Sequence, residues 1–260
     1  MVLHPFLDRK NPIAFAHRGG ALESPENTRE AFQHAVNLGF NYLETDARLT
    51  ADGVPIAFHD ARIDRVSNRE GAINEMTWDE LSELIIHPEQ DGGGHLVSFE
   101  QLLAEFPETR LNIDAKEAAV VQPLLDVLIT AGALDRVCLS SFSDRRNESI
   151  ARQLKDRGCV GQGPFETIKT VVRGRLGQSS SAARNRPLQI PANLGPLRVA
   201  ASALIDAAHN FGSAVHVWTV DDPARMHELL DLGVDGIMTD RPSVLRAVLI
   251  ERGQWHEGTT

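Results

Sequence analysis

Ile13-Ala14-Phe15-Ala16-His17-Arg18-Gly19-Gly20 is the stretch on which the reading of this chain turns. An apolar run passes without transition into polar residues and glycines, the pattern of a buried strand that delivers side chains at its carboxyl end. Pro25-Glu26-Asn27-Thr28 then opens a helical pattern, with Ala31, Phe32, Ala35, Val36 and Leu38 recurring at helical spacing until Gly39 stops it. A strand feeding a helix is the start of a βα repeat. The next run, Tyr42 to Arg48, alternates: Glu44, Asp46 and Arg48 point to one face, and Leu43, Thr45 and Ala47 to the other. Asp52-Gly53 signals a tight turn, and Val54 to Phe58 beyond it reads as a short strand ending in His59-Asp60.

Singly, these features are weak. The chain holds ten histidines, a given histidine is usually structural or solvated, and two acids on alternate strand positions ordinarily face water. Glu44 and Asp46, however, lie between apolar strands, where burying unpaired charge is costly. A metal or another cation would resolve that cost. Two histidines and a pair of acids, each at the carboxyl end of a predicted strand, are more specific together than apart.

Working outward, Arg110 to Ala115 reads as a third strand whose polar face carries Asp114 and, just beyond, Lys116. Val137 to Phe142, Cys159 to Gln162, Leu188 to Pro191, Ala214 to Val220 and Gly236 to Thr239 bring the strands to eight, with helical patterns over Glu117 to Ala131, Arg145 to Leu154, Ala200 to Phe211, Asp222 to Leu232 and Pro242 to Ile250. This alternation predicts an α/β chain folded as a (β/α)8 TIM barrel, a single domain over residues 1–260, rather than an open doubly wound sheet. No Gly-x-Gly-x-x-Gly follows the first strand, which argues against dinucleotide binding. In a barrel, His17, Glu44, Asp46, Asp114, Lys116 and Trp218 all fall at or near carboxyl strand ends, with the His59 hairpin beside them.

Between this hairpin and the third strand lies a small insertion, about residues 61–97. Within it Thr77 caps a helix with Glu80 three residues on, in a helical stretch over Asn74 to His87. Asp91 to His95, with its glycine run, reads as a connection in preference to a lid. Arg173 to Arg186 reads as a helix end and a mobile loop whose arginines form a solvated face in preference to an anion site.

Composition narrows the function classes. A formal charge of −10 argues against nucleic acid or an anionic membrane as default partner, so an anionic substrate would need local cations. No apolar stretch approaches a bilayer span and the amino terminus lacks a basic segment followed by an apolar core, so the expectation is cytoplasmic, without membrane insertion and without an amphipathic anchor. Cys138 and Cys159 lie in apolar surroundings and read as packing thiols. A homo-oligomer is left open.

His17-Arg18-Gly19, Glu26-Asn27-Thr28, Glu44-x-Asp46 and His59-Asp60 resemble, in order and spacing, the signature of the glycerophosphodiester phosphodiesterase family. Leu111 to Lys116, Val217 to Val220 and Gly233 to Pro242 extend the resemblance over nearly the whole chain, though residues between about 118 and 197 match only as generic alternation. The resemblance implies hydrolysis of small glycerophosphodiesters to sn-glycerol 3-phosphate and an alcohol. It implies His17 and His59 as acid–base pair, with His17 assigned here as base and His59 as acid. Glu44, Asp46 and Asp114 would hold a divalent metal ion, Ca²⁺ or Mg²⁺ with Mn²⁺ also admissible, since hard oxygen donors suit hard cations. Arg18, Lys116 and Trp218 would bind substrate, and Glu26 and Asn27 would support the site. One departure stands out: the family pattern usually has Glu where this chain has the shorter Asp114. Two alternatives remain, a lysophospholipase D-like enzyme acting on lysophospholipids and a catalytically silent phosphodiester-binding barrel.

Overall fold

In the computed structural model, which describes residues 3–255 except 88, 91, 195 and 196, parallel strands follow one another around a curled sheet. β1 (Ile13–His17), β2 (Tyr42–Leu49), β3 (Arg110–Ala115), β4 (Val137–Ser140) and β5 (Cys159–Val160) pair in chain order. β6 (Leu188–Pro191), β7 (Val215–Trp218) and β8 (Gly236–Thr239) continue the order, and β8 pairs with β1. The seam between β5 and β6 is bridged by Gln162, whose backbone N–H donates to the Pro187 carbonyl at 3.0 Å and whose Nε2 donates to the Arg186 carbonyl at 2.8 Å and to Ser213 Oγ at 3.0 Å. A helix follows each strand: α1 (Arg29–Asn37), α2 (Phe99–Glu105), α3 (Val121–Thr130), α4 (Asp144–Leu154), α5 (Pro164–Arg175), α6 (Ser202–Phe211), α7 (Pro223–Asp231) and α8 (Pro242–Glu251). The fold is the (β/α)8 barrel that the alternation predicts.

Side-chain alternation along the strands sorts the interior. Outward-pointing Leu43, Leu111, Ile113, Leu139, Val160, Val215, Val217 and Ile237 are buried beneath helix residues such as Phe32, Leu102, Leu124, Ile205, Leu229 and Leu245. Each such side chain contributes roughly 1.5–3 kcal/mol by leaving water. Inward-pointing residues change character along the barrel axis. Phe15, Tyr42, Cys138, Cys159 and Met238 make an apolar plug, completed by Phe6 and Leu7 from the amino-terminal segment. Tyr42 Oη donates to the Phe6 carbonyl at 2.6 Å, and the Phe6 and Tyr42 rings meet edge-on at 5.1 Å. Cys138 and Cys159 are buried, free and adjacent in register, the packing role read for them. Above the plug, strand register places His17 beside Glu44, Glu44 beside Asn112 and Asp46 beside Asp114.

Two segments differ from the sequence reading. The insertion is not one helix over Asn74 to His87: the Thr77–Glu80 capping box is present, but the helix covers only Trp78–Ser82 because Ile85–Ile86 leaves to pair with Gly94–His95. That hairpin is docked on the start of α1, where the His95 N–H donates to Glu30 Oε2 at 2.7 Å and His95 Nδ1 meets Glu30 Oε1 at 2.8 Å. The Asp91 end of the segment read as a connection lies outside the described residues. The insertion has a core of its own, in which Ile56, Phe58, Ile63, Ile73, Leu81 and Ile86 are buried together.

The second difference is α5. Arg173 to Arg186, read as a helix end and mobile loop, contains the last turn of a twelve-residue helix and a 3₁₀ segment, Ser181–Asn185. Thr170 and Gly174 face inward, and a Cβ on Gly174 would lie 1.7 Å from the Ala207 carbonyl oxygen of α6. A helix that buries a hydroxyl and a glycine while turning its apolar residues outward does not show the pattern of a core helix. Arg186 belongs to the seam, paired with Glu166 at 2.5 Å and donating to the Val160 carbonyl at 2.8 Å. No helix among the described residues is long and apolar enough to cross a membrane.

Candidate active site

β1 ends at His17 and the chain turns at once, with Arg18 and Gly19 at φ values of 51° and 81°. At Gly19 a side chain is excluded twice, by this left-handed backbone and because a Cβ would lie 2.7 Å from that of Ala31. Arg18 holds the same unusual backbone with a full side chain, at a cost on the order of 1–3 kcal/mol. Its N–H donates to Glu44 Oε2 at 3.1 Å and its carbonyl accepts from the Asn27 N–H at 2.9 Å. Asn27, also at positive φ, reads in sequence as an ordinary helix starter, but Thr28 is the residue whose side chain caps α1. Asn27 instead donates from Nδ2 to Asp46 Oδ2 at 3.0 Å and accepts from Thr45 Oγ1 at 2.7 Å. It ties the first loop to β2.

Glu44, Asp46 and Asp114 are all buried, each at most 6% exposed. Lys116 Nζ lies between two of them, 2.6 Å from Asp46 Oδ1 and 2.7 Å from Asp114 Oδ2. Burial favours the protonated form of Asp46, but Lys116, Arg18 and His59 outweigh it and hold the carboxyl below its usual range. Glu44 is compensated less well: burial pushes its carboxyl up to about 7, against the pull of His17. Asp114 is raised for the same reason despite Lys116.

Each histidine is backed by a carboxylate. His17 Nδ1 lies 2.6 Å from Asp240 Oδ1, and His59 Nδ1 lies 2.6 Å from Asp60 Oδ1. An ionised carboxylate only accepts, so Nδ1 carries the proton in both rings and Nε2 is left for chemistry. Burial lowers the His17 pKa, but Glu44 and Asp240 reverse this and raise it. Burial lowers the His59 pKa, and Lys116 and Arg18 add to the fall against the opposing Asp46 and Asp60. Arg48, on the same face of β2 as the acids, donates from Nε and Nη2 to the His59 carbonyl at 3.1 and 3.0 Å. Arg65, from the insertion, joins the two histidine loops: it donates to Asp60 Oδ2 at 2.6 Å and to Glu26 at 2.7 and 2.9 Å, and Glu26 accepts from Arg18 at 3.1 Å.

His17, Arg18, Glu44, Asp46, His59, Asp114, Lys116 and Trp218 line one cavity of about 380 Å³. Glu26 and Asn27 stand behind it. The opposite wall is apolar, formed by Phe142, Pro164, Ile168, Ile190, Pro191 and Met238 together with Trp218, and Trp218 meets Phe142 edge-on at 5.6 Å. Sequence reading missed Asp240, Arg65 and Phe142. Asp240 had a usable signal, an acid directly after the eighth strand, whereas Arg65 in an irregular insertion had none.

The donor chemistry fits a hard divalent cation. Three buried carboxylates gather hard oxygen donors, burial holds two of them toward protonation, and Asp114 Oδ1 is buried without a hydrogen-bond partner among the described residues. As placed, no three His, Cys, Asp or Glu side chains among the described residues converge on a ready metal position. The Lys116 ammonium supplies the positive charge between Asp46 and Asp114.

Fold and cavity together describe a (β/α)8 barrel whose candidate site lies at the carboxyl ends of its strands. Residues 17–244 match the profile of the glycerophosphoryl diester phosphodiesterase family. The chain belongs to that family. It is 38% identical over 256 residues to the probable glycerophosphodiester phosphodiesterase 2 of Mycobacterium tuberculosis (strain ATCC 25618 / H37Rv), covering 96% of this chain and 95% of that one. Among solved structures, a putative glycerophosphoryl diester phosphodiesterase from Silicibacter pomeroyi aligns with a TM-score of 0.77 at 21% identity, covering 96% of this chain and 98% of its own. An Oleispira antarctica phosphodiesterase in complex with the product sn-glycerol-3-phosphate aligns with a TM-score of 0.76 at 20% identity, covering 92% and 97%.

Proposed function

We propose that this chain hydrolyses glycerophosphodiesters to sn-glycerol 3-phosphate and an alcohol, using His17 and His59 as acid–base pair and Glu44, Asp46 and Asp114 as the seat of a divalent ion. The observation that carries this reading is the cavity holding two imidazoles, each with its Nδ1 committed to a carboxylate, beside three buried acids. The product is supported by the fold neighbour described in complex with it.

A phosphodiester monoanion repels its nucleophile and expels a basic alkoxide, so the site must supply positive charge and move two protons. Arg18 and Lys116 provide fixed charge within the cavity. One imidazole Nε2 takes a proton from the attacking oxygen while the other protonates the departing alkoxide. The attacking oxygen is water, or a glycerol hydroxyl of the substrate, which would give a cyclic phosphate that water then opens. A bound Ca²⁺, Mg²⁺ or Mn²⁺ would neutralise phosphoryl oxygens and supply the charge that Glu44 and Asp114 lack. Trp218 offers a flat wall to the glycerol backbone.

The sequence reading gives His17 the base role and His59 the acid role. The charges of the protein alone run the other way, raising His17 through Glu44 and Asp240 and lowering His59. An ion on Glu44 would draw off part of the charge that raises His17, so the division belongs to the loaded enzyme and is read from its pH–rate profile. In this proposal the chain works as one barrel domain over 1–260 in the cytoplasm, where the buried thiols Cys138 and Cys159 stay reduced. The test is metal-stripped protein on glycerophosphocholine, with Ca²⁺, Mg²⁺ or Mn²⁺ restored singly. Ion-dependent release of glycerol 3-phosphate is expected, falling by at least about 10²-fold in His17→Ala and in His59→Ala. Turnover indifferent to both substitutions would refute the pair, and phosphocholine with glycerol as products would mean that the other ester bond is cut.

A further inference from the structure

A second cavity, of about 280 Å³, lies against the seam between β5 and β6, where Val160, Gln162 and Arg186 line it. α5 lends it a polar row, since Glu166, Thr170 and Arg173, spaced i, i+4 and i+7, share one helix face. Lys155, the carboxyl cap of α4, and Ser180, just ahead of the 3₁₀ segment, come to it from two further elements. Gln162 is common to this cavity and the candidate active site, and the Thr170 hydroxyl fixes it by donating to its Oε1 at 2.8 Å. Among the described residues, none of those assigned to the phosphodiesterase chemistry lines the second cavity.

The charges around this cavity do not balance. Glu166, the acid that lines it among the described residues, is taken up by Arg186 at 2.5 Å, and Arg186 also donates to the Val160 carbonyl. Lys155 and Arg173 are left over. Neither side chain, nor the Ser180 hydroxyl, has a hydrogen-bond or ion-pair partner among the described residues. Cations near helix carboxyl ends also offset the helix dipole, for about 0.3–1 kcal/mol each. That role asks each cation only to stand by its own helix, whereas these two come from different helices and meet a hydroxyl on one concave surface. On a chain of net charge −10 such a local excess selects for anions. The sequence reading took Arg173 to Arg186 as a solvated face; the fold divides that stretch, setting Arg186 in the seam and turning Arg173 to the cavity.

We infer that the seam cavity is a second anion site, separate from the candidate active site, and that it takes a phosphate dianion, either inorganic phosphate or the phosphate group of a monoester. Two uncompensated cations match two negative charges, and a guanidinium, an ammonium and a hydroxyl suit an ion with several acceptor oxygens. A phosphodiester carries a single charge and gives up one more oxygen to its second ester, so it fits less well. The site itself does not depend on the phosphodiesterase reading. That reading adds one source of ligand, because hydrolysis turns a diester monoanion into glycerol 3-phosphate, a monoester dianion. Bound between Lys155 and Arg173, the dianion braces the carboxyl ends of α4 and α5 beside the barrel seam.

Equilibrium dialysis of the full chain, loaded with Mg²⁺, against radiolabelled inorganic phosphate at about pH 8, where phosphate is a dianion, counts the sites. Lys155 and Arg173 are both exposed, so substitution there leaves the core packing intact. Lys155→Met/Arg173→Met is expected to bind one phosphate per chain fewer than wild type, with its initial rate on glycerophosphocholine unchanged. Lys155→Arg/Arg173→Lys, which keeps the charges, should keep the count. Competing anions are read as the difference between wild type and the neutral variant. sn-Glycerol 3-phosphate should displace the label from the seam, and displacement at lower or higher concentration than unlabelled phosphate tells a monoester ligand from inorganic phosphate. Dimethyl phosphate, a diester monoanion, should leave the label in place. Equal counts in wild type and the neutral variant overturn the inference, as does displacement by dimethyl phosphate equal to that by the monoester. Loss of turnover together with the phosphate would put the bound anion in the catalytic cavity and overturn it as well. The count is read without turnover, so failure of the phosphodiesterase reading leaves this test standing.

Discussion

His17 and His59 depend on the oxygens behind them. Asp240 and Asp60 fix which nitrogen holds the resident proton, and Arg65 fixes Asp60 while also clamping Glu26, which holds Arg18. In the proposed mechanism Arg65 would act through these residues, as a positioning residue. Arg65→Met is expected to lower kcat about 10–100-fold with little change in KM, and to move the His59 limb of the pH–rate profile. An unchanged pH profile with a fall in thermal stability would reduce Arg65 to a structural tie. At this scale the sequence revealed the residues that stand in period-2 strands, because alternation assigns a face to each: His17, Glu44, Asp46 and Asp114. It did not reveal Arg65, since nothing in an irregular insertion fixes where a side chain five positions past Asp60 will reach. Asn27 received its supporting role only through the family resemblance, because helix starts and αL turns favour the same side chain and its residue type alone does not tell them apart.

Among the elements, β1 to β8 were legible and α5 was not, and the reason is one of faces. Strand periodicity reports burial directly in a barrel, whereas α5 reverses the usual sorting, burying Thr170 and Gly174 beneath an exposed apolar stripe. The close approach at Gly174 is what permits this. Gly174→Ala, a substitution that would favour an isolated helix by roughly 1 kcal/mol, is expected here to destabilise the fold by about 1–3 kcal/mol because the Cβ would collide with the Ala207 carbonyl. Urea unfolding measures the difference, and a neutral or stabilised variant would mean that α5 and α6 can part without cost. The insertion shows the opposite case. Its capping box was legible to the residue, yet tertiary pairing of Ile85–Ile86 with Gly94–His95 ended the helix earlier than propensity suggests.

Across the whole molecule, the barrel axis separates a plug that stabilises from a polar layer that costs stability. His216 on β7 is a titratable weakness beside the plug: it is fully buried, packs 5.0 Å from the Phe15 ring, and neither ring nitrogen has a hydrogen-bond partner among the described residues. Burial drives its pKa down from 6.5 to about 4. The folded pKa lies below the unfolded one, so between these values the unfolded chain binds more protons and stability falls as pH drops. The difference of 6.5 and 4 at 1.36 kcal/mol per unit amounts to on the order of 3 kcal/mol, complete near pH 4. The depressed carboxyl of Asp46 loses its contribution only below the ordinary carboxylate range, so the two windows are distinct. Glu44, raised to about 7, acts in the opposite sense over the same window because its folded form takes up the proton first, so His216 is read as a difference: the urea midpoint of His216→Leu should rise relative to wild type as pH falls from 6.5 to 4. An identical pH dependence in the two would show that His216 finds a proton acceptor or water when charged.

The proposed reaction breaks the bond between phosphorus and the head-group oxygen by adding a water oxygen to phosphorus. Phosphorus NMR of glycerophosphocholine turned over in ¹⁸O-water by the ion-loaded enzyme reads this directly. Glycerol 3-phosphate carrying the ¹⁸O-shifted phosphate resonance and unlabelled choline are expected, with no signal change in His17→Ala. Label in choline, phosphocholine as the phosphorus product, or equal turnover by His17→Ala would contradict it.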